Sequence, residues 1–421
     1  MAHTEPWYRT LNRLQWTILL IAWCGWVFDI MDTALFNFAK GPMLTEMLGG
    51  PAAYKLSGPA IEGRIQTVFL IGWAIGGLFF GLLADRWGRT RTLVVTVLMY
   101  CGLTGLTALC RTPDQVMVAR FLTALGIGGE WAAGAALIAE SLPDKARVGA
   151  SALLQSAAAF GPWFAAFANL GLAGHSWRLL FLVGVAPAAM TMFIRSKTHE
   201  PTVRRERGSF AGPLRVIFSD SVLRRNVLVA VGLGVVGIAG AGTAPFWLPN
   251  LVKSASAGLP VAEIAARTSY ATLTLHVGTL LGVFTFPALA ERIGRKLAFA
   301  LFFALSPLSV ALALYGGADY VRLLVLMPLA AFFAIGLSAG FVLYFPELFP
   351  PSVRATGSGL AYNVGRIVSA PLPLLTGAII GHFNGNVVAG VLIASGIYLF
   401  GLLVIPFAPE TRGLPLPADK E

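Results

Sequence analysis

The chain has 421 residues, of which 56% are hydrophobic and 12% charged. A soluble domain carries about 25% charged residues, so the composition speaks against an ordinary water-soluble protein. The net charge of +11 does not mark nucleic-acid binding: the arginines fall in short connectors between apolar runs, as the positive-inside rule describes, and no basic soluble domain stands apart.

Crossing a bilayer takes roughly 20 apolar residues. Twelve candidate spans meet that need, at 16–38, 64–84, 92–110, 115–138, 148–172, 177–195, 226–251, 268–290, 297–316, 321–345, 355–380 and 386–407. The first runs past Asp29 and Asp32 without a small-residue cleavage site, so it reads as a retained helix and not a signal peptide. A long outer loop is expected over 39–63, punctuated by Pro42, Gly49, Gly50, Pro51, Gly58 and Pro59. One set of connectors carries Arg9, Arg13, Arg86, Arg89, Arg91, Lys145, Arg147, Arg292, Arg295, Lys296, Arg354 and Arg412. The other carries only Lys40, Lys55, Arg111 and Lys253. Both termini are therefore expected in the cytoplasm. Cys24, Cys101 and Cys110 lie in or near apolar runs and show neither metal-ligand spacing nor a disulfide framework.

Two connectors repeat. Asp85 to Glu291 and Arg89 to Arg295 are each 206 residues apart. After the fourth span comes Glu140-Ser-Leu-Pro-Asp-Lys-Ala-Arg147, and after the tenth Glu347-Leu-Phe-Pro-Pro-Ser-Val-Arg354, at an offset of 207. Two echoes at nearly one offset predict a duplicated chain. Residues 1–195 and 226–421 form the two six-helix halves, and 196–225 is a basic cytoplasmic linker. The expected architecture is an all-α membrane protein with two six-helix pseudo-repeats, an arrangement of transporters with the substrate path between the halves.

Gly81-Leu-Leu-Ala-Asp85-Arg-Trp-Gly-Arg89-Thr-Arg91 resembles the helix 2–3 signature of the major facilitator superfamily, and the twelve-span pattern agrees. Arg120-Phe-Leu-Thr-Ala-Leu-Gly-Ile-Gly-Gly-Glu130 resembles helix four of its metabolite/proton symporters. Trp7-Tyr-Arg-Thr-Leu-Asn-Arg-Leu-Gln15 and the Asp29…Asp32 spacing look like the sialate and lactate branch. The helix-seven signature of yeast-type lactate permeases is replaced by Gly-Ile-Ala-Gly-Ala-Gly-Thr-Ala-Pro-Phe-Trp-Leu-Pro, which argues against lactate itself. The resemblance implies a cytoplasmic gate latch at Gly81, Asp85, Arg89, Glu140 and Arg147, with Glu291, Arg295, Glu347 and Arg354 in the second half. The alternative is that these charges only fix topology.

Ionisable groups within a span cost roughly 2.5–3.5 kcal/mol on insertion scales and are functional candidates by default. Asp29 and Asp32 are three residues apart and share a helix face. Arg120 enters the fourth span at a depth like that of Asp32. Related sugar/proton symporters use such a pair, so the resemblance implies proton coupling through Asp29, Asp32 and Arg120. Glu130, deeper on the same helix, is a second candidate for the proton or a structural bridge. Arg366 falls near the middle of the eleventh span and suits a carboxylate, which a guanidinium holds with two parallel hydrogen bonds. Asn363 and Tyr362 stand one turn earlier. His276, Gln155 and Trp247 are weaker lining candidates, each with a packing alternative.

The function these features imply is symport of a small organic anion, a carboxylate, with protons. It needs no cofactor beyond the proton and no metal. The expected partners are the anion, protons and the lipid bilayer, with no nucleic acid, and the chain is expected to act as a monomer in a bacterial inner membrane. A sugar or polyol symporter and a non-transporting sensor of the same fold stand as alternatives. Among enzyme motifs, no phosphate loop occurs.

Overall fold

The computed structural model describes residues 7–87, 89–141, 144–188, 211–414 and 417, and at 7, 82, 84–86, 89–90, 131–141, 144–148, 151, 211 and 355 it describes the backbone only. All regular structure among them is helical: α1 Arg13–Met47, α2 Pro51–Trp87, α3 Arg89–Thr107, α4 Pro113–Ser141, α5 Asp144–Gly171, α6 Arg178–Val183, α7 Ala211–Ser219, α8 Ser221–Ala241, α9 Ala244–Ala255, α10 Val261–Ile293, α11 Arg295–Leu314, α12 Tyr320–Glu347, α13 Arg354–Ser369, α14 Pro371–His382, α15 Val387–Ser395 and α16 Ile397–Val404. Helices dominate because a backbone in hydrocarbon must satisfy its own polar groups. Among the described residues, eight helical stretches are long and apolar enough to cross a membrane.

Helix ends follow local chemistry. Asn12 and Gln15 form a reciprocal cap at the start of α1, with Gln15 N donating to Asn12 Oδ1 at 2.9 Å and Asn12 N to Gln15 Oε1 at 3.0 Å. The expected long outer loop is not there. α1 continues to Met47, and only residues 48–50 separate it from α2. Gly49 and Gly50 turn the chain at φ +82° and +132°, while Pro42 and Pro59 sit inside helices. A membrane helix tolerates an internal proline when its neighbours re-satisfy the freed carbonyl, so proline punctuation misled the loop assignment. Three expected spans are interrupted. α8 gives way to α9 at Gly242–Thr243, α13 to α14 at Ala370 before Pro371, and α15 to α16 at Gly396.

The chain packs as two compact units. The first comprises residues 1–54, 68–200 and 259–273, and the second residues 55–67, 201–258 and 274–421. In the first, Phe69, Trp73, Val97, Tyr100, Ala124 and Ile127 form a buried cluster. In the second, Phe286, Phe299, Phe302 and Phe341 belong to one buried cluster, with the Phe286 and Phe302 rings edge-on and 4.9 Å apart.

The same spacing recurs inside the units. In the first, Gly72 and Gly76 of α2 lie against the backbone of Phe121 and Leu125 of α4. In the second, Gly278 and Gly282 of α10 lie against the backbone of Pro328 and Phe332 of α12. The glycines are 206 residues apart and their partners 207, the same two offsets as the repeated connectors. Any Cβ at these four glycines would overlap a backbone oxygen or nearly so. α2 with α4, and α10 with α12, therefore pack backbone to backbone, as small residues permit in membranes.

Candidate functional site

In the first unit, α1 and α4 bring the buried charges together. Arg120 Nη1 donates to Asp32 Oδ2 at 2.6 Å, and neither side chain reaches solvent by more than 2%. Thr104 of α3 donates its hydroxyl to Asp32 Oδ1 at 2.5 Å. The guanidinium carbon lies 4.3 Å from the Phe69 ring centroid and 4.8 Å from that of Phe36. Two aromatic faces thus stand where water would solvate the cation, a favourable exchange when the site is dry. Arg120 Nε and Nη2 have no hydrogen-bond partner among the described residues.

Asp29 is also fully buried, one helical turn from Asp32 on α1. Its carboxyl and the Tyr100 side chain face the carboxyl of Glu130, which is 5% exposed. Gly25, a turn before Asp29, makes the room: a Cβ there would overlap Glu130 Oε1 and lie 3.2 Å from its Cδ. The four residues expected to serve proton coupling therefore sit in one buried region of the first unit. Gln155 of α5 is buried in the same unit.

In the second unit, α13 carries Tyr362, Asn363 and Arg366 on one turn. Arg366 is 4% exposed. Its Nη1 donates to Asn363 Oδ1 at 3.4 Å, and its guanidinium carbon lies 4.9 Å from the Tyr362 ring centroid. The helix ends three residues later at Ser369, with Ala370 as its cap, and Pro371 cannot continue the ladder. His276 of α10 is half-buried and shares a 3.1 Å hydrogen bond between Nδ1 and Thr279 Oγ1. Trp247 of α9 is wholly buried with its ring edge-on to Phe246.

The second unit also holds the charged cluster expected at the gate. Arg295 forks onto Glu347, with Nη2 to Oε1 at 2.8 Å and Nε to Oε2 at 3.2 Å. Thr411 Oγ1 donates to Glu347 as well. Arg354 donates instead to main-chain carbonyls, Phe349 O at 3.0 Å and Pro346 O at 3.1 Å. Glu291 is exposed. Gly81 is half-buried on α2, while the side chains of Asp85, Arg89, Glu140 and Arg147 lie outside the described residues.

Sequence reasoning missed two acids. Glu410 caps α11: it accepts from the main-chain N–H groups of Arg295 at 2.9 Å, Arg412 at 3.0 Å, and Lys296 and Thr411 at 3.1 Å. Burial would raise its carboxyl, but these four donors outweigh it and hold the group below the ordinary glutamate value. Its signal was the acid in Pro409-Glu410-Thr411-Arg412-Gly413, just past the last apolar run. Glu62 of α2 is fully buried and accepts from Asn250 Nδ2 at 3.2 and 3.4 Å. It went unnoticed because its stretch reads as loop.

The sequence pattern of the Major Facilitator Superfamily matches residues 22–373. The chain is 31% identical to the probable 4-methylmuconolactone transporter of Cupriavidus pinatubonensis, covering 97% of this chain and 94% of that protein. It is 27% identical to the cis,cis-muconate transport protein of Acinetobacter baylyi, covering 94% and 95%. It is 26% identical to the sialic acid transporter NanX of Escherichia coli, covering 90% of each. Among solved structures, a D-xylose-proton symporter superposes with a TM-score of 0.73 at 21% identity, covering 94% of this chain and 99% of that one, which speaks to the fold alone.

Proposed function

Because the chain belongs to the Major Facilitator Superfamily and is a multi-pass membrane transporter rather than an enzyme, we propose that it carries a small organic anion, a carboxylate, together with protons by alternating access. The observation that carries this reading is Arg366. It is a guanidinium buried on α13 beside Asn363 and Tyr362, where a planar carboxylate could take two parallel hydrogen bonds. The relatives named above supply the substrate class: muconate, a muconolactone and sialic acid are all organic acids or their lactones. Twelve spans, cytoplasmic termini and two six-helix halves joined by residues 196–225 complete the reading.

Proton coupling draws support from the Asp32–Arg120 pair. Ionisable groups buried within a span are costly and mark ion and proton paths by default, and Asp29 and Glu130 are buried in the same unit as this pair. The helix interruptions at Gly242–Thr243 and at Ala370 offer places for α8–α9 and α13–α14 to bend, since a broken ladder resists bending least.

The test is uptake of radiolabelled cis,cis-muconate, benzoate and sialic acid into proteoliposomes, with and without an inward proton gradient, for wild type and Arg366→Ala. Gradient-stimulated uptake of one of these acids, lost in the variant, is the expected result. Uptake indifferent to the gradient would remove the proton. Failure of every acid together with uptake of a pentose would move the assignment to sugars.

A further inference from the structure

The Asp32 carboxylate already has its charge met by Arg120 and its second oxygen by Thr104. The neighbouring acids are arranged differently. Asp29 is 0% exposed and Glu130 5%, and the Glu130 carboxyl faces Asp29 from α1 and Tyr100 from α3. Glu130 Oε2 has no hydrogen-bond partner among the described residues. Among the described residues, the other ionisable neighbours are Cys101 of α3 and Asp32 with its arginine. From α2, Trp73, Gly76, Gly77 and Phe80 pack beside Gly128 and Gly129, and none of these ionises. Two carboxylates facing each other in a dry site repel strongly, and one proton converts that repulsion into a charge-assisted O–H···O⁻ bond. Such a pair titrates as a unit.

We propose that Asp29 and Glu130 form a carboxyl pair that binds the coupling proton between them, with Gly25 keeping the space in which it is shared. The empty pair carries two negative charges and the loaded pair one. The proton comes from water on the side where the path is open and returns to water on the other, and only O–H bonds form and break. Asp32 and Arg120 then act as the neighbouring fixed pair that sets the field in which the proton sits. Gly25 is the feature that marks the arrangement as built, because Glu130 Oε1 occupies the volume of its missing side chain.

This inference rests on the proton-coupled reading, so its first test uses no substrate. Infrared difference spectra of the purified full-length protein, taken across pH, read the C=O stretch of protonated carboxyl groups. One band that shifts or disappears in both Asp29→Asn and Glu130→Gln, and persists in Asp32→Asn, is the expected result. A band untouched by either of the first two substitutions, or two bands that each answer to one of them, would overturn the pair. Gly25→Ala, which is exposed to less folding risk than a new buried charge, should shift the same band, and should add nothing in the Glu130→Gln background. An unshifted band in folded Gly25→Ala counts against the proposal. A second readout compares gradient-driven uptake with counterflow of cis,cis-muconate in proteoliposomes. The ratio of the two should collapse in Glu130→Gln. An unchanged ratio would refute the proton role, whereas failure of muconate transport in the wild type would touch only the substrate reading and leave the infrared result standing.

Discussion

Arg120 and Asp32, which lie 88 residues apart in the chain, meet at 2.6 Å in a site closed to water, where the faces of Phe36 and Phe69 flank the guanidinium. Removing one member of a buried pair leaves the other uncompensated, at a cost of about 3–5 kcal/mol. Arg120→Met alone should therefore lower the melting temperature sharply in detergent. Asp32→Asn with Arg120→Met should recover most of the loss, because two neutral side chains leave no orphaned charge. A double variant no more stable than the worse single one would show that the pair does not act as a unit.

Arg366→Lys keeps the charge but loses the planar fork. If α13 holds the carboxylate, half-saturation for the transported acid should rise about tenfold, equivalent to about 1.4 kcal/mol. Arg366→Ala should cost more. Equal affinity in wild type and the lysine variant would argue for a point charge without bidentate recognition.

Glu410 ties the tail after α16 to the start of α11. Its carboxyl is held below the ordinary glutamate value, so the folded protein prefers the ionised form. The stability this contributes is present above the unfolded-state value, about 4.3, and is lost as pH falls through the lower folded-state value. The melting temperature of the wild type should exceed that of Glu410→Gln near neutral pH, and the two curves should converge in acid. Curves that stay parallel across that range would remove the cap.

Gly278 of α10 is the tightest of the four repeated glycines, because its missing Cβ would overlap the Pro328 carbonyl oxygen. A backbone atom cannot swing aside as a side chain can, so Gly278→Ala should part α10 from α12 and lower both yield and melting temperature. Gly381→Ala, where a Cβ meets nothing within 4 Å, is the matched control. Equal behaviour of the two would contradict the close packing.

Much of this molecule was legible in its chain. Burial in hydrocarbon demands apolar runs and concentrates charge in connectors, so composition alone gave the class and the charged connectors suggested a repeat. The 206-residue offset seen between Asp85 and Glu291 reappears as Gly72 with Gly278 and Gly76 with Gly282, as helices with equivalent contact faces would have it. Spacing within one helix was enough to group Asp29 with Asp32, and Arg366 with Asn363 and Tyr362. Contacts between helices were another matter. Which acid meets Arg120, that Glu130 turns onto Gly25, and that Glu410 caps α11 depend on how elements far apart in sequence rotate and approach, and helical periodicity fixes a face without naming its partner. The outer loop shows the same limit from the other side: Pro42 and Pro59 read as breaks because local chemistry favours one, whereas α1 and α2 run through them, as a membrane helix does when its neighbours re-satisfy the backbone.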